Sequence, residues 1–476
     1  MTDQVPISIT FLTFIALFVG VGIYSGTRKK STTEDYLLAS RGVSPWLTAL
    51  SAVATGNSGF MFIGLIGFTY QFGLSAIWLT IGYIVGDGLA WLSVHRRLRD
   101  VSEKTDSETI PAFLGQKMQG GRWITITAAL VTLSFLGSYA AAQLQAGSKA
   151  LTVLFNWDSS IGVIFGAVIV TIYCVSGGIR ASIWVGSVQS ILMMGSMLLL
   201  SVVAIVSSGG LSELWSQLNT IDPSLTGLFP PDLKFGVVPF VLAWTIAGFG
   251  VVGQPHIMVR AMAIESAERV GDARNVYVLF NALFSIAATI VGLTSRVLLP
   301  ELGAGGDVEL ALPELAATLL PAFLVGLVLV GLFSATISTA DAQLLSCSAA
   351  LTQDIFPQAS KSYTLAKVGT LATAAIILVI ALLSTDNVFV MVTFSWAALA
   401  ASLGPLMVVR VFQLPVNPKV AIAMMMAGIA TALIWRVGLH LSGDIYEVLP
   451  GMLASTLVYL ISQLFIQKKP EDEARV

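Results

Sequence analysis

About thirteen times along this 476-residue chain an apolar stretch recurs that is long enough to cross a lipid bilayer, which takes roughly 20 residues of helix. The stretches lie near 7–25, 45–70, 74–95, 123–152, 160–177, 182–207, 236–255, 275–298, 321–346, 366–384, 388–411, 419–437 and 448–466. Only 11% of the residues are charged, and the mean hydropathy of +0.84 excludes a soluble globular protein. The fold class expected is therefore an all-α polytopic membrane protein set in a cell membrane. A net charge of -2 says little about partners, because in such a chain the position of the cations carries the information. Lys149, Lys234, Arg296 and Arg436 fall in loops on one side, and the rest of the 25 cations fall on the other. By the positive-inside rule the amino terminus is outside and the carboxyl terminus cytoplasmic, which an odd number of spans requires. The first stretch follows "MTDQVP" and precedes "TRKK", which is unlike a cleavable signal peptide.

A helix in hydrocarbon can be interrupted only where protein or a watery cavity receives the freed backbone groups, so interruptions point toward function. The second span is interrupted at "ATGNSG" (54–59), and five spans later "AWTIAGFGVVGQP" (243–255) is weakened by Gly248, Gly250, Gly253 and Pro255. Two five-helix runs that each begin with a weak helix have opposite orientations, because five is odd. That pattern implies a 5+5 inverted-repeat secondary transporter whose site lies between the broken helices near the midplane. The expected divisions are 1–44 (first helix and loop), 45–207 (first repeat), 208–235 (an outer loop acting as cap or gate), 236–411 (second repeat) and 412–476 (two final helices and a tail).

The ninth span supplies a third element, "LFSATISTADAQLLSCSAA" (332–350), in which Ala335, Ser338, Thr339 and Ala342 share one helical face. A single membrane hydroxyl commonly bonds back to its own helix. A Ser-Thr pair facing a helix break can instead join the freed carbonyls in a neutral oxygen cage suited to a hard monovalent cation such as sodium. Two carboxylates lie within spans, where they are costly and usually functional. Asp341 reads equally as an auxiliary ion or proton site and as a hydrogen-bonded structural group. Asp87, in "VGDGLAW", reads as structural, since nothing near it in sequence specifies a partner. Cys174 and Cys347 lie in apolar segments and read as buried small residues.

No clustered His/Cys ligands, phosphate loop or nucleophile-base arrangement is visible, so an enzyme or primary pump is not expected. Nucleic acid and an obligate protein partner are not indicated. The partners expected are sodium, a small-molecule solute and the bilayer, with proton coupling and a channel as the rival readings. The tail "QKKPEDEARV" is too short for the signalling domain of a nutrient sensor.

The chain resembles the sodium/solute symporters, and among them the sodium/proline carriers, through "TEDYLLASR" (33–41), "TALSAVATGNSG" (48–59), "YCVSGGIRASIW" (173–184), "GQPHIMVRAMA" (253–263), "STADAQLLSCSAALTQDIF" (338–356), "SWAALAASLGP" (395–405) and "YEVLPG" (446–451). The resemblance implies thirteen helices and a sodium site at Ala54, Asn57, Ala335, Ser338 and Thr339. It also implies solute contacts at Ser58, Gly59 and Tyr139, with Gln143 one turn further on. Pro255 and the positions aligned ahead of it, Ala247 and Val251, complete the expected solute set, with Trp244 one turn earlier. Family members often carry aspartates where this chain has Gly56 and Gly186; the first loss removes none of the five implied ligands, and the second argues against an auxiliary sodium site unless Asp341 substitutes, so one sodium per cycle is expected.

Overall fold

The computed structural model describes residues 4–27, 32–358, 363–384 and 387–466. Among the cations used for orientation, Arg28, Lys29, Lys30, Lys361, Lys468, Lys469 and Arg475 lie outside the described residues. The described elements are helices, in the order α1 (Gln4–Gly26), α2 (Thr33–Leu38), α3 (Pro45–Gly56), α4 (Leu65–Phe72), α5 (Ile77–Ala90), α6 (Arg96–Lys104), α7 (Ile110–Gly115), α8 (Gly121–Val131), α9 (Gly137–Phe155) and α10 (Ser159–Ser207). There follow α11 (Leu211–Ile221), α12 (Val237–Phe249), α13 (Pro255–Ala263), α14 (Val270–Leu298), α15 (Ala311–Leu319), α16 (Ala322–Ala349), α17 (Tyr363–Leu383), α18 (Val388–Val411), α19 (Pro418–Leu433) and α20 (Val448–Ile466). The single β-bridge among the described residues pairs Val43 with Ile264, which ties the entry of α3 to the exit of α13.

Among the described residues ten helices are long and apolar enough to span, and the bent pair Val237–Gly253 and Pro255–Ala263 adds another. Two longer runs each hold more than one of the expected spans. Phe60–Lys104 turns at Gly73 (φ 63, ψ -144), which separates the end of span two from span three. The 49-residue α10 would exceed 70 Å if straight, at about 1.5 Å per residue, and it breaks at Gly178 (φ 58, ψ -151). A Cβ at Gly178 would lie 2.5 Å from the Tyr36 carbonyl, so both the backbone angle and the space require glycine. Each of the thirteen expected stretches thereby falls on a helical segment, with Ser159–Val175 shorter than the rest.

Burial orders the helices into centre and rim. The spanning windows of α16 and α18 are 78% and 89% buried, against 22% for α1 and α20, so α16 and α18 form the core and the apolar faces of α1 and α20 meet lipid. The segment 208–235 holds α11, whose Leu214 and Leu218 join Leu225 and pack on Leu293 and Val297 of α14. Cys174 and Cys347 are buried free thiols.

Candidate functional site

The broken second span is where the backbone accounting becomes specific. Helix α3 stops at Gly56, Asn57 leaves helical geometry (φ -84, ψ 56), and a π-helical turn, Phe60–Gly64, leads into α4. Two of the released carbonyls, those of Ala54 and Thr55, are met by hydroxyls of α16. Ser338 Oγ donates to the Ala54 carbonyl at 2.9 Å, and Thr339 Oγ1 lies 3.1 Å from the Thr55 carbonyl and 3.4 Å from that of Ala54. Both hydroxyls also reach the Ala335 carbonyl, at 3.1 and 2.9 Å. Three carbonyls and two hydroxyls thus converge in a buried spot without a formal charge, between α3 and α16. The Thr55 carbonyl was not foreseen, because no sequence signal distinguishes one freed carbonyl from the next. Asn57 caps α3, and its side-chain nitrogen is buried without a partner. Every one of the converging atoms is oxygen, the ligand type that a hard cation such as sodium takes.

Past the break, the Gly59 N–H donates to Gln143 Oε1 at 2.8 Å, and the Phe60 N–H reaches Ser58 Oγ at 3.2 Å. Ser58 Oγ also meets the Tyr139 hydroxyl at 3.3 Å. A Cβ at Gly59 would lie 2.7–2.9 Å from Thr336, Ala146 and Gln143, so Gly59 is wedged against α9 and α16.

The second break is a 59° bend at Gly250–Gly253 and Gln254. It is closed by α18, since a Cβ at Gly253 would lie 2.7 Å from the Leu399 carbonyl, and Gln254 Nε2 donates to the Trp396 carbonyl at 3.1 Å. Trp396 Nε1 in turn donates to the Ala247 carbonyl at 2.8 Å.

Between the two breaks lies a cavity lined by Gly56, Asn57, Tyr139 and Val251, together with Tyr83, Asp87, Tyr277, Asn281, Ser285 and Trp396. Of the expected solute residues, Tyr139 and Val251 line it. Ser58, Gly59, Gln143 and Ala247 stand behind the lining as the contacts that hold it. Trp244 lines a separate groove with Arg436, Tyr446 and Glu447, where its ring stacks on Tyr446 at 4.6 Å. Pro255 lines a groove toward the opposite end, with Tyr36, Glu108 and Arg260. In that groove burial pushes the Glu108 carboxyl above its ordinary value, reinforced by Asp106 and Glu34 and opposed by Arg41. The sequence did not reveal Tyr83, Tyr277, Asn281 or Ser285 as lining residues. Asp87 does have a partner, the Tyr277 hydroxyl at 2.5 Å.

Asp341 is buried and accepts a hydrogen bond from Ser182 Oγ at 2.5 Å. Arg260 also donates to Ser182 Oγ, at 3.1 Å, and reaches Ser51 Oγ at 2.8 Å and the His256 carbonyl at 3.0 Å. Asp341 thus sits in a polar cluster that joins α3, α10, α13 and α16.

The sequence profile of the sodium:solute symporter family matches residues 36–428. The chain belongs to that family. The symporter is 30% identical to the high-affinity proline transporter PutP of Bacillus subtilis, over 93% of this chain and 94% of that one. It is also 30% identical to the sodium/proline symporter of Salmonella typhimurium, over 98% and 94% of the two chains. Its fold matches a Na+-coupled sialic acid symporter with TM-score 0.80 at 18% identity, covering 97% of this symporter and 98% of that chain. Mhp1, a nucleobase-cation-symport-1 family transporter, gives TM-score 0.59 at 17% identity, over 92% and 97%. The symporter is thus a multi-pass membrane transporter of the broken-helix, inverted-repeat class, with sodium as its coupling ion.

Proposed function

We propose that this symporter accumulates proline, or a close zwitterionic relative, by coupling its entry to one sodium ion. The observation that carries the ion site is the meeting of the Ala54 carbonyl with the Ser338 and Thr339 hydroxyls across the first helix break. The proposed ligands are the Ala54, Asn57 and Ala335 carbonyls and the Ser338 and Thr339 hydroxyls, with the Thr55 carbonyl as a further oxygen. The solute occupies the cavity beside Tyr139 and Val251. Trp244 and Pro255 flank the path at either end rather than floor the site. The names of the relatives at 30% identity support proline as the first solute to test.

In this reading the end carrying Lys149 and Arg436 faces outside and the protein works in the plasma membrane. Sodium entering from outside draws α3 and α16 together, which fixes the break and completes the solute cavity. Coupling follows because both ligands favour the same arrangement of a shared element. The units 45–207 and 236–411 are the repeats that move against each other. One charge crossing ~150 mV with a roughly tenfold sodium gradient supplies about 5 kcal/mol, enough for accumulation of a few thousandfold.

The test is uptake of labelled proline by proteoliposomes under an inward sodium gradient, with amino acids, sugars and carboxylates as competitors. Saturable accumulation that requires sodium supports the reading. Accumulation driven by a proton gradient alone, in sodium-free buffer, overturns it.

A further inference from the structure

We propose that Asp87 is the anionic contact for a cationic nitrogen on the transported solute, so that the cavity selects solutes carrying an ammonium group. The inference rests on the symport reading above and narrows its substrate class. Asp87 is the one formally charged residue among the described residues lining the cavity between the two helix breaks. Its side chain is 5% exposed, yet only Oδ2 is satisfied, by the Tyr277 hydroxyl at 2.5 Å; Oδ1 meets no protein donor. A buried carboxylate with one oxygen unpaired is costly, and within a membrane such groups serve transport rather than packing.

The position is fixed by backbone contact. A Cβ at Gly82 would lie 2.6 Å from the Trp244 backbone, and one at Gly86 would lie 2.0 Å from the Thr245 carbonyl. Helix α5 therefore lies directly on α12, which turns Tyr83 and Asp87, four residues apart, into the cavity together. The rings of Tyr83 and Trp396 stand 5.4 Å apart there, with Tyr139 and Phe60 also on the wall. One carboxylate among aromatic faces suits an alkylammonium, which takes a charged hydrogen bond and ring contact at once. Sodium prefers a shell of oxygens, which the structure offers instead at Ala54, Ala335, Ser338 and Thr339.

Gly56 provides an internal control. A Cβ there would lie 3.1 Å from the same Tyr277 hydroxyl, so Gly56→Asp can return a carboxylate to the cavity from the facing helix.

The experiment uses the full chain in proteoliposomes. Sodium-driven uptake of labelled proline by the wild type should be competed by proline, but not by cyclopentanecarboxylate or tetrahydro-2-furoate, which keep the ring and acid and lack the ammonium. Asp87→Asn should raise half-saturation for proline roughly 10- to 100-fold, the range expected for losing one hydrogen bond to a charged group, while half-saturation for sodium moves less than twofold. Gly56→Asp in that background should recover part of the loss. Equal competition by these nitrogen-free analogues overturns the proposal without any variant. So does an Asp87→Asn protein that shifts sodium alone, which would make Asp87 a second cation ligand, or a wild type that accumulates only sugars or carboxylates. Failure of every solute to accumulate with sodium overturns the symport reading, and this inference with it.

Discussion

Ser338→Ala and Thr339→Ala put the sodium site to its most direct test, because each hydroxyl has a measurable role with and without the ion. Without sodium, the Ser338 hydroxyl bonds the Ala54 carbonyl at 2.9 Å and the Thr339 hydroxyl bonds that of Ala335 at 2.9 Å. Losing such a neutral bond costs about 0.5–1.5 kcal/mol. With sodium bound, the same oxygen faces a full charge, an interaction worth about 1.5–3 kcal/mol. Sodium affinity feels the difference, about 1–2 kcal/mol per hydroxyl, or roughly 5- to 30-fold in half-saturation. Proline half-saturation at saturating sodium should change far less, since neither side chain lines the solute cavity. Ser334→Ala is the control on the same helix: its hydroxyl is buried with no partner, so its removal should leave sodium dependence unchanged. The assay is initial proline uptake by proteoliposomes across a sodium series. Wild-type sodium dependence in both Ser338→Ala and Thr339→Ala would refute the cage.

Two further predictions concern the breaks themselves. Gly178→Ala forces a Cβ into positive φ and against Tyr36, and should lower the yield of folded protein and its thermal midpoint in detergent, with a cost of at least about 1–2 kcal/mol. Gln143→Leu leaves the Gly59 N–H buried and unpaired, a loss of about 1–3 kcal/mol; a thermal midpoint in detergent equal to that of the wild type would refute this role.

What could be read from the sequence divides along a physical line. Span positions follow from local composition, and both helix breaks follow from glycine, proline and polar residues placed where lipid cannot satisfy the backbone. The Ser338–Thr339 pair was legible because helical periodicity puts it on one face. The Asp87 environment was not, because its partner Tyr277 comes from another helix, 190 residues away, and only packing brings the two together. The same holds for Gln143. Its side chain looked like a solute contact one turn from Tyr139, and its carbonyl oxygen is spent on the N–H that the break releases. Trp244 lies between one and two turns before the bend and Pro255 immediately after it, and the two line separate grooves on either side of the 59° change of direction.

Asp341 had two equal readings, and its surroundings turn them into opposing measurements. Its carboxylate and the Arg260 guanidinium share one hydroxyl, Ser182 Oγ, at 2.5 and 3.1 Å, and Arg260 and Asp341 are only 1% and 2% exposed. Arg260 also holds Ser51 on α3 and the His256 carbonyl on α13, so the cluster joins both broken spans to α10 and α16 at the end opposite Arg436. Removing one charge leaves the other buried without its counter-charge, which destabilises the fold, while removing both costs less. Arg260→Gln and Asp341→Asn should each lower the thermal midpoint in detergent. The double variant should be more stable than the sum of the single losses predicts, with a coupling of about 0.5–3 kcal/mol. An ion or proton carrier would behave differently: Asp341→Asn would alter sodium or pH dependence of uptake, leave the thermal midpoint near wild type, and combine additively with Arg260→Gln. Additivity together with a shifted ion dependence would therefore assign Asp341 to transport, and coupling with unchanged ion dependence assigns it to the clamp that holds the two breaks in register.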